Sequence, residues 1–309
     1  MVLCFHLTTP VDLEKNWAHI QLQAAIMVRH NFEYPKDATN TVNRYKYQAD
    51  YSLKTIHSII NSSPILHVSF TPDPSDPFPV ILPMIGQMGS FSRPSASIGD
   101  TLDCYIHGYV SSRIMNLARS STSTSTSTTK GLPVCITASK VTGLVLTLTP
   151  YSHNYNYLSS TLFGYASLVE TTEEKLYAML LITNSVVADR WVNSRVPPTG
   201  AELESTAILR IKVERGSAKV REGGPGIDGE SRADLKDSET MGRVWTGVLP
   251  VWEQLGEPIP GPYNEVKDVP EHVRSYRDDF NRERREYAEE VARKDAPVKK
   301  AEGSDGEVE

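Results

Sequence analysis

The sequence predicts a mainly β protein, a β-barrel with flanking helices, and three observations support this fold class. Short β-branched runs recur through the middle of the chain, and Pro-, Gly- and Ser-rich turns separate them. Two amphipathic segments with capping residues lie between groups of these runs, which places helices at the edges of the sheet. Residues 205–222 alternate apolar and polar side chains as a strand does. Together these features are typical of a closed or nearly closed antiparallel barrel.

The composition of the chain argues against several classes of function. The chain has 309 residues and a formal net charge of −6, which argues against general nucleic-acid binding because that function needs a basic surface. No apolar run approaches the roughly 18 residues of a membrane-spanning helix, and the N-terminus lacks the basic region of a signal peptide. The three widely spaced cysteines, Cys4, Cys104 and Cys135, have no metal-ligand spacing. We therefore expect a cytoplasmic protein with reduced thiols and no metal site.

The first elements can be assigned in order. Residues 1–40 are predicted to form an N-terminal extension, with a short helix possible over Trp17–Val28. The first helix of the main domain is predicted to follow Ser52, which is a suitable N-cap. The segments ILHVSF (65–70) and FPVILPM (78–84) flank a Pro- and Asp-rich loop. This arrangement predicts an antiparallel hairpin.

The middle of the chain predicts a strand, a helix and further strands. The segment LDCYIHGYVSSRIMNL (102–117) is predicted to form a buried strand, a tight polar turn and an amphipathic helix. Residues 119–130 are a low-complexity Ser/Thr insertion for which no packed structure is expected. Residues 132–139 and 141–150 predict two strands, and another is expected from about residue 158 to 170.

The last third contains a helix, a strand pair and a charged tail. Thr172 is predicted to cap a helix whose first turn contains Glu173 and Glu174, as the helix dipole favours. Residues 205–222 predict one strand and a second short one. Residues 41–260 are therefore expected to form the main domain. Residues 261–309 are expected to form a charged helix, with many opposite charges four residues apart, and a disordered tail.

The turn after the buried strand is the best candidate anion site. It contains His107, Gly108, Ser111, Ser112 and Arg113. Hydroxyl groups, backbone amides and a guanidinium at a helix N-terminus suit a phosphate. The residues alone leave a second interpretation open, in which the turn simply caps a surface helix and Arg113 is solvated.

A second candidate group opens the strand that starts near residue 158. The hydroxyl groups of Tyr157, Ser159 and Ser160 could reach a polar heterocycle, or the serines could pair across neighbouring strands. Arg44 lies just before the first helix as a loop cation, and most such arginines are only solvated. These residues by themselves do not decide between a ligand site and ordinary surface structure.

The order of several segments resembles a known superfamily. The matching text is TVNRYKYQADY before the first helix, ILHVSF with FPVILPM, LDCYIHGYVSSRIMNL, NYLSSTLFGYASLVETTEEKLYAML, a segment from DRWVN to GGPGID, and VWTGVLPV. Spread over residues 40–260, these segments resemble the FMN-binding split-barrel superfamily that includes pyridoxamine 5′-phosphate oxidase. The similarity is greatest to its flavin-nucleotide-binding branch, which also contains nitroimidazole-resistance proteins.

The resemblance implies a fold, a cofactor and a set of contacts. It implies a six-stranded antiparallel split barrel that forms a homodimer, with two FMN molecules bound between the subunits. In the family, the Ser-Arg turn holds the FMN phosphate, and the strand corresponding to PVILP lies along the isoalloxazine ring mainly through its backbone. The cofactor-binding positions that this carries over are Val80, Ile81, Leu82, His107, Gly108, Ser112, Arg113, Tyr157 and Ser159.

Two departures from the family pattern concern the phosphate. Ile114 stands where pyridoxamine phosphate oxidases usually have a Lys, and Leu158 stands where an Arg is expected. Each change removes a cation, and a charge-assisted contact contributes about 1.5–3 kcal/mol. The resemblance therefore implies weaker FMN binding, or compensation by Lys140 or by an Arg of the partner chain.

The resemblance also implies an activity, with two alternatives. We expect an FMN-dependent oxidoreductase that acts on a small molecule, with His107 and Tyr157 as candidates for the catalytic acid. Pyridoxamine phosphate oxidation itself is not expected, because the substrate-binding C-terminal segment of those enzymes is not recognisable. The alternatives are a non-catalytic flavin-binding protein and a haem-binding split barrel, since some members of the superfamily bind haem.

Overall fold

The computed structural model describes residues 32–124, 131–226 and 233–297. The predicted helix over Trp17–Val28 and the predicted tail beyond residue 297 lie outside these ranges. Nine strands form one antiparallel sheet: β1 Ala49–Asp50, β2 Leu66–Phe70, β3 Val80–Met84, β4 Gly86–Gly89, β5 Asp103–Tyr109, β6 Leu132–Leu146, β7 Asn154–Leu168, β8 Thr206–Arg221 and β9 Gly247–Pro250. The helices around it are α1 Leu53–Asn61, α2 Arg113–Thr124, α3 Thr172–Val186, α4 Gly200–Ser205, α5 Ser238–Arg243 and α6 Glu271–Arg293.

The strand order shows how the sheet curls. The order is β3-β2-β6-β7-β8-β5-β4, with β1 added to β8 and β9 added to β6. Strands β3 and β4 end this order, yet only Ile85 separates them in the chain, so the two ends of the sheet must approach each other. Within the described ranges no strand pairing joins β3 to β4, so the curled sheet stays open, which is consistent with a split barrel.

The expected count of six strands is not confirmed. The sheet has nine strands because β3 and β4 are separate on either side of Ile85, and because the short strands β1 and β9 extend its edges. The mainly β class with flanking helices is confirmed. No helix of the described residues is long and apolar enough to cross a membrane.

Several predicted elements are confirmed closely. Strands β2 and β3 form the expected antiparallel hairpin, in which Phe70 pairs with Val80. Helix α1 follows Ser52, whose side chain accepts a hydrogen bond from the backbone N–H of Thr55. Helix α3 is capped by Thr171 rather than Thr172, because the Thr171 hydroxyl accepts the backbone N–H of Glu174.

Four predicted boundaries are wrong. The two strands predicted over 132–139 and 141–150 are one strand, β6, which ends at Leu146, because Lys140 pairs with Leu158 and the ladder continues past a bulge at Val141/Gly143. The strand pair predicted over 205–222 is likewise the single strand β8, with a bulge opposite Phe163/Gly164. Strand β7 starts at Asn154 and not near residue 158. Helix α2 continues to Thr124, so the first residues of the low-complexity insertion are helical.

The core has two parts. The larger part fills the inside of the curled sheet and is covered by α1 and α2, with Ile56, Ile60, Leu66, Ile106 and Ile114 fully buried. The smaller part lies between α3 and the other face of β5 and β8. It contains Tyr105, Ala178, Ile182 and Ile208.

The second core part surrounds a buried carboxylate. Glu174 accepts hydrogen bonds from the hydroxyl of Tyr105 at 2.9 Å and from the guanidinium of Arg210 at 3.1 Å. Burial raises the pKa of Tyr105, and its bond to Glu174 adds to this effect. The phenol is therefore protonated and donates to the carboxylate.

The charged C-terminal helix is confirmed and is joined to the sheet. Helix α6 packs against β6 and β9 and buries Ala288 and Val291. The backbone N–H of Gly223, just after β8, donates to the carbonyl of Val291 at 3.1 Å. The Tyr287 hydroxyl donates to Glu222 at 2.9 Å. These contacts hold one end of β8 and its following turn.

Candidate functional site

The predicted phosphate turn lies where β5 meets α2, and we call residues 107–113 the β5–α2 turn. Strand β5 ends at Tyr109, whose carbonyl accepts the N–H of Ser112 at 2.9 Å. Helix α2 begins at Arg113, and the Ser112 carbonyl accepts the N–H of Asn116 at 3.1 Å. The turn therefore presents the first-turn amides of a twelve-residue helix beside a hydroxyl and a guanidinium.

Two buried polar atoms of the β5–α2 turn have no partner. Neither Nδ1 of His107 nor Oγ of Ser112 is hydrogen-bonded to any described residue. Burial lowers the pKa of His107, and a hydrogen bond to the backbone of Ile85 opposes this shift. Nδ1 of His107 is therefore available to a ligand.

Gly108 and Arg113 complete the turn. A Cβ atom on Gly108 would lie 3.0 Å from Cε of Met115 and 3.7 Å from Oγ of Ser112, so the backbone is closely packed there. Arg113 is exposed and forms no ion pair with another described residue. The Ser75 backbone and hydroxyl lower the pKa of Asp73, and Arg113 adds to that effect, which places the guanidinium near the β2–β3 loop.

The predicted ring-contacting strand is an edge strand. Val80 and Leu82 pack against the core, while Ile81 is 59% exposed on the other face. Strand β3 pairs only with β2 among the described strands, so one row of its backbone N–H and C=O groups has no strand partner. This geometry suits the backbone contacts that the resemblance implies.

Tyr157 and Ser159 lie at a different place, on β7 opposite the end of β8. Tyr157 pairs with Arg221 across the two strands, and its hydroxyl is 3.4 Å from Oε1 of Gln48. Burial raises the pKa of Tyr157, and Arg221 opposes the shift. The Ser159 hydroxyl donates to the Lys219 carbonyl at 3.0 Å, so it already has a partner within the sheet.

Tyr157 lines a cleft of about 610 Å³, which we call the tyrosine cleft. The cleft is polar and aromatic, with four tyrosines and several cationic or imidazole side chains. These residues are Tyr45, Tyr47, Tyr151, Tyr157, Arg44, His153, Lys219 and Arg221. None of the described residues lining it is acidic. Of these lining residues, only Tyr157 and Arg44 could be identified from the sequence, because Lys219 and Arg221 resemble ordinary charged residues on the exposed face of a strand.

The structure does not bring the two predicted groups together within one chain. His107 pairs with Ile208 and Tyr157 pairs with Arg221, so the two groups lie near opposite ends of β8. At the usual strand rise this separation along β8 is up to about 40 Å.

Lys140, the proposed compensating cation, lies in another cavity. This cavity of about 840 Å³ is bounded by α1, β6, the segment just after β9 and α6, and it is lined by Leu158, Trp252 and Arg284 among others. The Lys140 ammonium donates to the Ser62 carbonyl, which also accepts from Arg284. Burial and the neighbouring Arg284 lower the pKa of Lys140 to about 8. Ile114, which replaces the other expected cation, is fully buried.

Most buried polar atoms without a hydrogen-bond partner lie in the two segments predicted to contact a ligand, the β5–α2 turn and the start of β7. Five such atoms occur among the described residues: Nδ1 of His107, Oγ of Ser112, Nδ2 of Asn156, Oγ of Ser160 and Nε of Arg215. Four of them belong to the β5–α2 turn or to the start of β7. Because native proteins leave few such atoms unpaired, both places are candidates for ligand contact.

Solved structures with a similar fold include two that cover most of this chain. The flavocytochrome Anf3 from Azotobacter vinelandii is 27% identical, the match covers 80% of this chain and 99% of that one, and the TM-score is 0.59. The FAD and heme binding protein from Mycobacterium smegmatis is 21% identical over 74% of this chain and 97% of that one, also with a TM-score of 0.59. No curated protein matches the chain significantly.

A 5-nitroimidazole antibiotic resistance protein from Bacteroides thetaiotaomicron is more distant. It is 17% identical, the match covers 56% of this chain and 86% of that one, and the TM-score is 0.41. The family model described as pyridoxamine 5′-phosphate oxidase matches residues 52–220, which is more than half of the sequence. The match includes the hairpin, the β5–α2 turn, β7 and β8 as far as Val220, and it leaves out Arg44, Tyr45 and Arg221 of the tyrosine cleft. The chain therefore belongs to the pyridoxamine 5′-phosphate oxidase family.

Proposed function

We propose that this protein is a flavoprotein that binds FMN between two copies of the chain and acts as an FMN-dependent oxidoreductase on a small molecule. The observation that carries the proposal is the pair of unpartnered buried atoms, Nδ1 of His107 and Oγ of Ser112, beside the unpaired cation of Arg113. A buried polar atom without a partner costs about 1–3 kcal/mol. A bound ligand would remove that cost.

The chemistry of the β5–α2 turn fits a flavin phosphate. A phosphate would accept hydrogen bonds from the Ser112 hydroxyl, the Arg113 guanidinium and the first amides of α2. The unpaired Nδ1 of His107 suits a hydroxyl group, such as one on the ribityl chain of a flavin, because a hydroxyl can both donate and accept a hydrogen bond. Since Ile114 is buried and apolar, Arg113 would be the cation of this turn that holds the phosphate.

The separation along β8 supports a site shared between two copies of the chain. Because His107 and Tyr157 lie near opposite ends of that strand, we propose that each flavin contacts the β5–α2 turn and β3 of one subunit and Tyr157 of the other. The similarity to a flavocytochrome at 27% identity supports a flavin as the ligand class. The second similar structure is described as binding FAD, so the choice of FMN needs a direct test.

A bound flavin would supply the hydride and electron chemistry. The side chains of this chain would position it and handle protons. Tyr157 has a raised pKa, so its hydroxyl stays protonated and can donate a hydrogen bond to the ligand. Burial lowers the pKa of His107, which favours the neutral form of its ring.

The test is the absorbance spectrum of the purified protein, followed by chromatography of the cofactor released on denaturation. We expect the two visible bands of oxidised flavin and release of FMN. Release of FAD would retain the flavin site and overturn the choice of FMN. If protein reconstituted with excess FMN and with excess FAD retained neither after gel filtration, the flavoprotein proposal would be wrong.

Two alternatives have clear signatures. A non-catalytic flavin-binding protein would retain flavin but would not oxidise NAD(P)H with a quinone or nitroaromatic acceptor. Haem binding is a second candidate because both similar folds are described as haem-containing, a flavocytochrome and an FAD and heme binding protein. A Soret band would identify haem, either alone or together with the flavin bands.

A further inference from the structure

We propose that the cavity lined by Lys140, which we call the Lys140 cavity, binds a small organic carboxylate with an apolar body, such as a medium-chain fatty acid. Its volume of about 840 Å³ is within the range of small-molecule sites. This inference does not rest on flavin binding at the β5–α2 turn. It rests on a gap at the edge of the sheet, on apolar walls and on an ammonium group without a counter-charge.

The Lys140 cavity lies at a gap along one edge of β6. Strand β7 pairs with the other edge over nearly the whole length of β6. On the cavity side, β2 pairs with residues 135–137 and β9 pairs with residues 143–146. The residues between them, 138–142, have no strand partner on this side among the described strands. Helices α1 and α6 and the segment just after β9 supply the other walls.

The wall of the Lys140 cavity is mainly apolar. Its apolar side chains are Ile59, Val141, Leu158, Val251, Trp252 and Phe280. The last three belong to the segment after β9 and to α6, beyond residue 220, where the match to the family model ends. The C-terminal part of the chain therefore supplies a large share of the wall. An apolar group of a ligand would be removed from water there, which favours binding.

The ammonium of Lys140 has no carboxylate partner among the described residues. It donates to the Ser62 carbonyl, which also accepts from Arg284 at 2.9 Å. Arg284 has further partners, because it lies 3.2 Å from Glu253 and its guanidinium lies 4.1 Å from the ring centre of Phe280. One neutral carbonyl thus accepts from two cations, and of these only Arg284 has an acidic partner.

The charged groups of the Lys140 cavity sum to one excess positive charge. Three cations and two carboxylates line it: Lys54, Lys140, Arg284, Glu253 and Glu283. The remaining titratable group is Tyr287, and burial raises its pKa, so its hydroxyl stays neutral. A ligand carboxylate beside Lys140 would supply the missing counter-charge through a charge-assisted hydrogen bond. The apolar body of the ligand would then contact the apolar walls.

The experiment is calorimetric titration of the full chain at pH 7 with three probes: octanoate, acetate and octan-1-ol. We expect octanoate to bind with one site per chain. Acetate lacks the apolar body and octan-1-ol lacks the charge, so each should bind at least about tenfold more weakly. Equal affinity for octan-1-ol and octanoate would overturn the carboxylate as the ligand class. Absence of octanoate binding would overturn the proposal.

The pH dependence of binding tests the role of Lys140. Burial lowers the pKa of its ammonium to about 8, so the charge is present at pH 7 and mostly lost at pH 9. Octanoate remains ionised over this range. Its affinity should therefore fall about tenfold between pH 7 and pH 9. Octanoate binding that does not change with pH in this range would overturn the role of Lys140.

Variants of Lys140 locate the binding. Lys140→Met should weaken octanoate binding about tenfold at pH 7 and remove the fall between pH 7 and pH 9. Lys140→Arg keeps a charge that does not titrate in this range, so it should bind octanoate at both pH values. Lys212→Met is the matched control, at an exposed lysine of another strand outside the cavity, and should leave the profile unchanged. An unchanged profile in Lys140→Met would overturn the assignment.

Competition separates the Lys140 cavity from the flavin site. Arg113→Ala should leave octanoate affinity unchanged, because Arg113 does not line this cavity. Saturating FMN should not displace octanoate. Displacement of octanoate by FMN, together with loss of FMN binding in Lys140→Met, would place the flavin in the cavity and overturn the carboxylate site. A protein that binds octanoate but no flavin would contradict only the proposed function.

Discussion

The hydroxyl of Tyr34 lies 2.7 Å from Nε2 of His57, and both side chains are buried. Nδ1 of His57 is 2.8 Å from the carbonyl of Ile98, so Nδ1 carries the proton and Nε2 accepts from Tyr34. This chain of hydrogen bonds joins the segment before β1, helix α1 and the loop before β5. The buried histidine is therefore a neutral structural residue.

The first prediction concerns the pH dependence of stability. Burial lowers the pKa of His57 to about 4 from an ordinary value of 6.5. Between these pH values the unfolded chain therefore binds a proton at His57, while the folded chain does not. The folded state has the full benefit of neutral His57 above pH 6.5, and it loses that stability as the pH falls to about 4. The loss amounts to about 3 kcal/mol in the free energy of unfolding. Denaturant unfolding at several pH values measures it.

His57→Asn should flatten this part of the pH profile. The matched control is His67→Asn, at an exposed histidine on β2, which should keep the profile of the unchanged protein. A His57 variant with the same slope between pH 4 and pH 6.5 would show that other groups cause the loss.

The second prediction tests the phosphate contact. Arg113→Ala should weaken FMN binding tenfold or more, since it removes one charge-assisted hydrogen bond. Fluorescence titration of the apoprotein with FMN measures the affinity. Arg119→Ala, on the same helix and also exposed, is the control and should change affinity little. Unchanged affinity in Arg113→Ala would place the phosphate elsewhere.

The third prediction tests whether each flavin site is shared between two chains. Arg113→Ala and Tyr157→Ala homodimers should each lack one part of both sites. A mixed dimer of the two variants, isolated with two affinity tags, should contain one intact site and bind about half the flavin of the unchanged dimer at a limiting FMN concentration. Mixed dimers that bind no better than either homodimer would mean that the site is not shared in this way.

The fourth prediction concerns the buried carboxylate under α3. Glu174→Ala should lower the free energy of unfolding by about 3 kcal/mol, because it leaves the Tyr105 hydroxyl without an acceptor and removes the partner of Arg210. Glu173→Ala, at an exposed position of the same helix, is the control and should have a much smaller effect. Thermal and urea unfolding provide the comparison.

Local signals made much of the fold predictable. The cap at Ser52, the β2–β3 hairpin and the charged helix α6 each depend on a few neighbouring residues, and all three are confirmed. The division of β6 was wrong because Lys140 resembled a turn residue. Its ammonium donates to the Ser62 carbonyl at the end of α1, a contact that is distant in sequence.

The candidate sites were predictable only in part. Ser112 and Arg113 are adjacent in sequence, so the β5–α2 turn could be found from a short motif. The tyrosine cleft is formed by the loops before α1 and β7 and by the end of β8. Its cations are far apart in the sequence, and the pairing of the strands brings them to the same place. Arg221 opposite Tyr157 is the clearest case, since 64 residues separate the pair in the sequence.

The bulge in β8 has a consequence for the length of that strand. Below it, Ala207, Leu209, Ile211 and Val213 belong to the larger core. Beyond it, Ala218 belongs to that core and Val220 packs against it, so the core positions change from odd to even. Glu214, which pairs with no residue of β7, supplies the extra position. Deleting this exposed residue would remove no side chain of either candidate site. It would nevertheless remove the bulge, so that side chains alternate without a break along the whole of β8. The side chains of one half of the strand would then point to the wrong face of the sheet. A change of one residue in length between the two sites is therefore more damaging than most substitutions there.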